Sequence, residues 1–424
     1  MKINLPYGSG NINLNVPDTA RKIEPKPAFV LPDTIGAVQN ALDHPIGSPP
    51  LNDLAAGRRN ACIVISDVTR PVPNRMLLPP ILNTLNRAGL SPTNILILIA
   101  TGTHRPNQGQ ELIGLVGREV ADHYQVTNHH CRQQGLNIEI DKIEGTSIEI
   151  DRRYLEADLK ILTGLIELHG FAGYSGGGKS ILPGLSSFET MKFMHSYAML
   201  EHPHVRVCSL KHNPFQQHIR RVARKAGVDF LVNAAINKSR ELTGVFAGDL
   251  EAAHDEGCRM VEDHVVVPMD EEADFVITTG AGLPLDATFV QAIKGLEKAK
   301  EITRPGGKAL LIAECSQGLG GETFGSILDS APTPEAFSSH YRQTANFAFE
   351  QWVVHVFYRC KAHFDEILVY SPGLTTEDFQ RLNVTRVADL QEAVNSLASQ
   401  FQKIVVIPEG PYVMGQARGG PEGG

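Results

Sequence analysis

Short apolar runs that alternate with longer amphipathic stretches constrain the fold of this chain more than any other feature. The runs ACIVIS (residues 61–66) and NILILIA (residues 94–100) have the length and the aliphatic character of strands buried on both faces. Between them, residues 76–88 place leucines at helical spacing, and Gly89 then supplies a stop signal. Such alternation is typical of a mostly parallel sheet with helices on its faces, so we predict an α/β fold.

The alternation occurs in two blocks, and 424 residues exceed what one ordinary core holds. Further apolar runs lie at residues 159–166, 229–237, 274–280, 309–314, 366–371 and 403–408. The acidic, proline-containing segment 265–273 separates the blocks and is the predicted linker. We predict a larger N-terminal α/β domain over residues 1–267, a smaller C-terminal α/β domain over residues 268–410, and a flexible glycine-rich tail over residues 411–424. The opening KINLPYGSGNINLNVP predicts an antiparallel hairpin.

Composition argues against two kinds of partner. The balance of 39 basic and 47 acidic residues gives a net charge of -8, without a cluster of lysine or arginine that could follow a nucleic acid. Because the apolar runs are too short for a bilayer and the N-terminus resembles no signal peptide, we expect a cytoplasmic protein with no membrane partner. The six cysteines form no C-x-x-C pair, so we assign them neither a disulfide nor a metal.

Residues 173–180, GYSGGGKS, match the phosphate-loop pattern G-x-x-x-x-G-K-[ST]. A phosphate loop requires a strand that runs directly into the first glycine and a helix that begins at the lysine. Here the apolar run ends near Ile166, and Pro183 follows Lys179 where that helix would have to continue. We therefore predict no nucleoside triphosphate site, and interpret the glycines as room for the backbone to approach a bulky ligand.

Polar residues follow three of the apolar runs in the same way. Asp67 and Arg70 follow the first run, His104 follows the second, and His169 follows the run at residues 159–166. In open parallel sheets, ligands bind outside the carboxyl ends of the strands. These four side chains are therefore predicted to converge on one catalytic crevice.

His195 lies in a different setting, on a helix predicted to begin at the capping box Ser186-Ser187-Phe188-Glu189. Its position falls on the apolar side of that helix, together with Met191. A histidine there is either a hydrogen-bonded core residue or a metal ligand or base held by packing, and the pattern leaves both open.

Gln291 and Lys294 lie three residues apart on the polar side of a helix that follows the run at residues 274–280. Lys298 shares that side, and we expect it to face solvent. For Gln291 and Lys294, a solvated helix face and a cleft between the two domains are both open.

With DVTRPVP, TGTHRP, HGFAGYSGGGKSILPG, His195 and the helix bearing Gln291 and Lys294 in order, the chain resembles the lactate racemase family, the nickel-pincer nucleotide enzymes. The resemblance implies two Rossmann-like α/β domains with the active site in the cleft between them. It also implies a cofactor, nickel pyridinium-3,5-bisthiocarboxylic acid mononucleotide, that separate biosynthesis enzymes make and deliver. The implied substrate is a small 2-hydroxy acid.

The resemblance assigns roles to ten positions. It implies that Lys179 anchors the cofactor through a thioamide, that His195 binds nickel, and that the cofactor is also contacted by Asp67, Val68, Thr69 and Arg70. It implies that His104 and His169 are the acid and base, and that the substrate is held by Arg70, Gln291 and Lys294.

The implied chemistry explains these residue types. Removing a hydride from C2 and returning it to the other face inverts a 2-hydroxy acid through a planar 2-keto acid, and a cofactor must accept that hydride. Each enantiomer then needs its own base for the hydroxyl proton, which accounts for two histidines.

The motifs do not decode the substrate side chain, so lactate and a longer, polar or aromatic 2-hydroxy acid are both candidates. A NAD-dependent 2-hydroxyacid dehydrogenase is a further alternative, disfavoured because no strand runs into a G-x-G-x-x-G turn. The last alternative is a relative of these enzymes that binds a ligand without catalysing a reaction.

Overall fold

The computed structural model describes residues 1–417, and residues 418–424 of the predicted tail lie outside the described residues. The chain forms two compact units. We call Pro27–His195 with His202–Glu262 the central unit. We call Met1–Lys26, Ser196–Glu201 and the described residues from Asp263 onward the terminal unit.

The central unit is built on a six-stranded sheet. In spatial order its strands are Leu242–Gly248, Phe230–Ile236, Leu159–Leu165, Ala61–Ser66, Ile95–Ala100 and Gln125–Asn128. The first two pair antiparallel and all other neighbours pair parallel. The predicted α/β class is confirmed, and the polar segments that follow three adjacent parallel strands share one edge of this sheet.

The described central unit also contains two small hairpins, nine α-helices and the 3-10 turns Pro92–Asn94 and Gly177–Ser180. The hairpins pair Asn137–Ile143 with Thr146–Asp151, and Leu168–His169 with Gly173–Tyr174. The helices are Thr34–Asp43, Leu51–Ala55, Asn74–Arg87, Gly109–Val116, Arg118–His123, Arg152–Leu155, Phe188–Met194, Pro214–Ala226 and Ala252–Val265, the last of which ends beyond the unit boundary.

Helix Asn74–Arg87 shows why the sequence pattern works. The helix predicted at residues 76–88 is confirmed, and its apolar face buries Leu77, Ile81 and Leu85 completely against the sheet core. Each fully buried leucine contributes about 1.5–3 kcal/mol relative to an exposed one. The helix ends before Gly89, which has a φ of 101° that other residues rarely adopt.

The terminal unit contains a second six-stranded sheet in which every pair is parallel. In spatial order its strands are Thr385–Arg386, Glu366–Tyr370, Thr303–Ile312, Ala273–Thr279, Ile404–Ile407 and Arg21–Lys22. The described helices of this unit are Tyr197–Glu201, Phe289–Lys300, Phe324–Ser330, Pro334–Tyr341, Gln351–His363, Thr376–Leu382 and Leu390–Ala398.

The predicted N-terminal hairpin is confirmed, with Lys2–Tyr7 antiparallel to Gly10–Asn15. It belongs to the terminal unit, because its apolar residues Ile3, Leu5 and Leu14 pack with the sheet residues Phe275 and Leu310. Sequence reasoning had placed these first residues in the N-terminal domain.

The segment predicted as a linker differs from that expectation. Val266–Met269 forms a strand parallel to Met414–Ala417, and both lie in the terminal unit. Met414–Ala417 falls inside the predicted glycine-rich tail. None of the helices between residues 1 and 417 combines the length and the apolar character needed to cross a bilayer.

Candidate active site

Asp67 and His104 form a hydrogen-bonded pair at the carboxyl ends of strands Ala61–Ser66 and Ile95–Ala100. His104 Nδ1 lies 2.7 Å from Asp67 Oδ2. The Asp67 side chain is 4% exposed, whereas that of His104 is 50% exposed, so the ring is accessible above a buried carboxylate. Burial would raise the pKa of Asp67, but hydrogen bonds from His104 and Thr69 and the charge of Arg70 lower it. Asp67 therefore stays ionised beside the ring.

The segment after Asp67 is a tight turn. The Thr69 hydroxyl and backbone N–H both donate to Asp67 Oδ1, and the Arg70 N–H donates to the Asp67 carbonyl. Val68 is exposed, and its N–H donates to Asn107 Oδ1. The turn presents the Arg70 guanidinium, whose Nη1 lies 3.4 Å from Glu167 Oε1. This ion pair joins the ends of two adjacent strands.

His169 lies on the two-residue strand Leu168–His169, directly after the Glu167 position. Its Nδ1 accepts hydrogen bonds from the backbone N–H groups of Phe171 and Ala172, each at 3.2 Å. The ring is thus fixed by its own turn, and its environment differs from the carboxylate environment of His104.

The glycine segment before Lys179 is buried and contacts the side chains of Asn233 and His254. Gly177 has a φ of 54°, and its N–H donates to Asn233 Oδ1 at 2.8 Å. The His254 ring packs directly beneath Gly177 and interacts through Nε2 with the Ser175 carbonyl at 2.9 Å. Gly177–Ser180 forms a single 3-10 turn rather than the start of an α-helix. This agrees with the prediction that the segment is not a phosphate loop.

Lys179 is electrostatically unusual. Burial lowers the pKa of its amine to about 7, and the charge of Arg70 acts in the same direction. The carboxylates of Glu167 and Asp67 oppose this shift. Since an ordinary lysine amine has a pKa near 10.4, this shift makes the uncharged, nucleophilic form of the Lys179 amine accessible near neutral pH.

His195 caps the C-terminus of helix Phe188–Met194. The helix begins at Ser187, whose side chain accepts from the Thr190 N–H, so the cap lies one residue later than the predicted capping box. Burial lowers the pKa of His195 to about 4, and the charge of Lys179 acts in the same direction. A hydrogen bond to the Met191 carbonyl acts in the opposite direction and raises the pKa.

The His195 ring nitrogens can be assigned. Nδ1 lies 3.0 Å from the Met191 carbonyl oxygen, which can only accept, so Nδ1 carries the hydrogen. In the neutral ring the lone pair is then on Nε2. That is the state in which an imidazole binds a metal.

Aromatic contacts connect the histidines. The Phe171 ring lies edge-on to both His169 and His195, with centroid distances of 5.9 Å in each case. Phe215 contacts His195 from another side at 5.6 Å. The central unit therefore brings together Asp67–Arg70, His104, His169, Lys179 and His195. A cavity of ≈ 370 Å³ adjoins His104 and is lined also by Gly102, His130 and Arg132.

Gln291 and Lys294 belong to the terminal unit, on helix Phe289–Lys300. Their assignment to the substrate stays a prediction. The expectation that Lys298 faces solvent is wrong, because its side chain is 3% exposed and its Nζ lies 2.6 Å from Glu297 Oε2. Across residues 1–417, no three or more His, Cys, Asp or Glu side chains are grouped to hold a metal ion.

Sequence reasoning missed three residues that support the site. Glu167 precedes His169 in the recognised strand-end segment but received no role. Asn233 and His254, which hold the glycine segment, come from distant elements and carry no local signal. A buried asparagine within an apolar strand run, as in DFLVNAAIN, is the one hint the sequence offers.

Comparisons with known proteins identify the family of this chain. The family model for the lactate racemase N-terminal domain matches residues 7–207, and that for the lactate racemase C-terminal domain matches residues 269–414. The lactate racemase of Lactiplantibacillus plantarum is 35% identical, over 88% of this chain and 89% of the relative. That of Thermoanaerobacterium thermosaccharolyticum is 33% identical, over 97% and 98%.

Solved structures with the same fold include a lactate racemase. The lactate racemase apoprotein from Thermoanaerobacterium thermosaccharolyticum superimposes with a TM-score of 0.90 at 32% identity, over 98% of this chain and 100% of that chain. A Thermotoga maritima protein shares the fold, with a TM-score of 0.68 at 16% identity over 92% and 100%. The protein is accordingly an α/β isomerase of the racemase class. It belongs to the lactate racemase family, as the sequence motifs predicted.

Proposed function

We propose that this protein racemises or epimerises a small 2-hydroxy acid, lactate or a close relative, with a nickel-pincer nucleotide as its cofactor. The observation that carries the proposal is that Lys179, whose amine has a pKa of about 7, and the neutral His195 ring lie in one partly exposed site, close enough for the Lys179 charge to lower the pKa of His195. Both similar relatives are named lactate racemases.

The residues present fit this cofactor. An uncharged amine is the form of Lys179 that can attack a thiocarboxyl group. The glycines beside it do not leave the room for a ligand that the sequence suggested, because a Cβ on Gly176, Gly177 or Gly178 would collide with Asn233, His254 or Ala223. Imidazole is a suitable ligand for nickel, and Nε2 of His195 has the required lone pair. Lys179 would hold the organic part and His195 the metal, with Asp67–Arg70 contacting the nucleotide.

When bound, the cofactor would supply the acceptor for the hydride that leaves C2. The protein's own residues would do the rest. His104 and His169 would exchange the hydroxyl proton on the two sides of the substrate. Arg70, already oriented by Glu167, would bind the substrate carboxylate, and Gln291 and Lys294 are the further predicted substrate contacts.

The proposal is tested on protein matured together with the cofactor-making enzymes of its host. Intact mass, metal content and peptide mapping should find nickel and a covalent adduct on Lys179. His195→Ala should lose the nickel, because the protein ligand is gone. His104→Ala and His169→Ala should retain nickel and fail to interconvert the enantiomers.

An unmodified, nickel-free Lys179 peptide in such a preparation would rule out the cofactor. Equal metal loss in all three histidine variants would contradict the separate roles. Assays with a panel of single enantiomers identify the substrate, and net keto-acid formation with free NAD would instead favour the dehydrogenase alternative.

A further inference from the structure

The two acid/base histidines have opposite hydrogen-bond neighbours at the same ring nitrogen. Nδ1 of His104 faces the Asp67 carboxylate at 2.7 Å, and a carboxylate that is ionised can only accept. Nδ1 of His169 faces two backbone N–H groups at 3.2 Å, which can only donate. One nitrogen must therefore carry a hydrogen and the other must not.

We infer that the two rings are held in opposite neutral tautomers, with an unprotonated Nε2 on His104 and a protonated Nε2 on His169. The tautomers follow from the geometry alone. Their catalytic meaning rests on the proposed racemase function, in which these nitrogens meet the substrate.

Asp67 then has a role beyond contact with a cofactor. Its Oδ2 faces His104, and its Oδ1 accepts from both the hydroxyl and the N–H of Thr69 at 2.6 and 3.2 Å. The buried carboxylate is thus fixed in orientation by its own turn. Asp67 is a positioning residue that sets the tautomer of His104.

The amides that set His169 are equally fixed. The Phe171 carbonyl accepts from Asn213 Nδ2 at 2.7 Å, which anchors the turn. The turn closes through Gly173, where an added Cβ would collide with the Ser209 carbonyl, so no side chain fits there. The two N–H groups therefore cannot rotate away from Nδ1 without breaking these contacts.

The asymmetry decides where the reaction starts. A hydroxyl that faces His104 would lose its proton to Nε2 as C2–O becomes a carbonyl, and the cofactor, when bound, would supply the acceptor for the C2 hydride. On the other side, the Nε2–H of His169 donates a hydrogen bond to the keto-acid oxygen. The resting protein is thus prepared for one enantiomer.

Inversion and the opposite direction need a different proton arrangement. To complete inversion, the oxygen would take the Nε2 proton of a His169 that has gained a proton at Nδ1 from solvent, and His104 would return its proton to solvent. The cofactor, when bound, would supply the hydride to the other face of C2. Starting from the other enantiomer requires His169 to carry its hydrogen on Nδ1. In both of these protonation states of His169, a hydrogen on Nδ1 breaks the hydrogen bonds from the Phe171 and Ala172 N–H groups.

The tautomers can be read directly by NMR of ¹⁵N-histidine-labelled, cofactor-free, full-length protein, with His104→Gln and His169→Gln identifying the two rings by loss of signal. We expect a pyrrole-like Nδ1 and a pyridine-like Nε2 for His104, and the reverse for His169. Asp67→Ala should mix the tautomers of His104 and leave His169 unchanged. Glu167→Gln, which removes a nearby charge that does not bond to His104, is the matched control and should change neither.

The same tautomer in both rings, or a His104 pattern that survives Asp67→Ala, would overturn the inference. In cofactor-loaded enzyme, His104→Gln should lower kcat by about 10²–10⁴-fold. His169→Gln should also fail to complete inversion, because a glutamine amide can donate a hydrogen bond to the keto-acid oxygen but cannot give it a proton. If the tautomers are opposite but the protein never binds the cofactor, the proposed function is contradicted and the tautomer inference still holds.

Discussion

Two neighbouring charges of opposite sign act on the Lys179 amine. The Glu167 carboxylate stabilises the ammonium form, and the Arg70 guanidinium destabilises it. The two side chains also pair with each other. Neutralising either one leaves the other charge to act on the amine. The state of Lys179 at neutral pH is therefore adjustable from either side.

We predict that the reactivity of Lys179 in cofactor-free protein reaches half its maximum near pH 7, where the amine loses its proton. Glu167→Gln should move this midpoint to lower pH, since the ammonium loses a stabilising charge. Arg70→Gln should move it to higher pH. Competitive acylation across a pH series, followed by peptide mass spectrometry, measures the midpoint.

The surface residue Lys211 offers an internal reference, because it is exposed and its acylation should be the same in all three proteins. Shifts of the same sign in the two variants would contradict the assignment of opposite charges to one amine.

At the scale of elements, the glycine segment fits its surroundings by close approach. A Cβ added to Gly178 would lie 2.7 Å from the Ala223 Cβ and 3.1 Å from Ile219 Cγ2, both on helix Pro214–Ala226. Gly178 does not have a positive φ, so its backbone conformation suits alanine and only the contact with the helix excludes it.

We predict that Gly178→Ala lowers the free energy of unfolding by about 1–3 kcal/mol, because the helix must move outward. Ala223→Gly alone should cost about 1 kcal/mol through helix propensity. In the double variant the new methyl occupies the space of the removed one, so its loss should be smaller than the sum. Urea unfolding of the four proteins gives the coupling, and strict additivity would show that the helix does not press on the loop.

The elements that the sequence revealed are those with a local signal. Strand Ala61–Ser66 and helix Asn74–Arg87 are specified by runs of aliphatic residues and by helical spacing, and both were predicted closely. The strand Leu168–His169 has two residues and exists only because the chain returns at Gly173, so no periodicity could reveal it. Lys298 looked solvated on a helical wheel because the wheel contains no neighbouring elements.

The site residues divide in the same way. Lys179, His104 and His169 were predicted because a motif and the ends of parallel strands single them out, and their roles stay predictions. The tautomer-setting partners of the histidines are a carboxylate at some distance in sequence and two backbone amides. Backbone groups have no sequence signature, which is why the asymmetry of the two rings could be obtained only from the structure.

At the scale of the whole molecule, the two units are interleaved along the chain. The chain changes unit after Lys26, His195, Glu201 and Glu262. The residue after the predicted nickel ligand thus already belongs to the terminal unit, where Tyr197 stacks on His355 at 4.6 Å. A cut between the units at one place in the sequence leaves both incomplete.

This interleaving predicts how a fragment of residues 1–267 behaves. It retains the hairpin Lys2–Asn15 but lacks the core residues, among them Phe275 and Leu310, that pack with Ile3, Leu5 and Leu14. Because an isolated two-stranded hairpin is marginal in water, its amides should lose their protection from hydrogen exchange in the fragment. In the full chain the same amides should be protected, and mass spectrometry of exchanged peptides compares the two.

Strand Ile95–Ala100 is the control, because its neighbours on both sides are present in the fragment and its amides should stay protected. Equal protection of the hairpin in both proteins would mean that it is stabilised without the sheet that contacts it, against the burial of its apolar face. Loss of protection in strand Ile95–Ala100 as well would show that the central unit depends on the terminal one, so that the unit of folding is the entire chain.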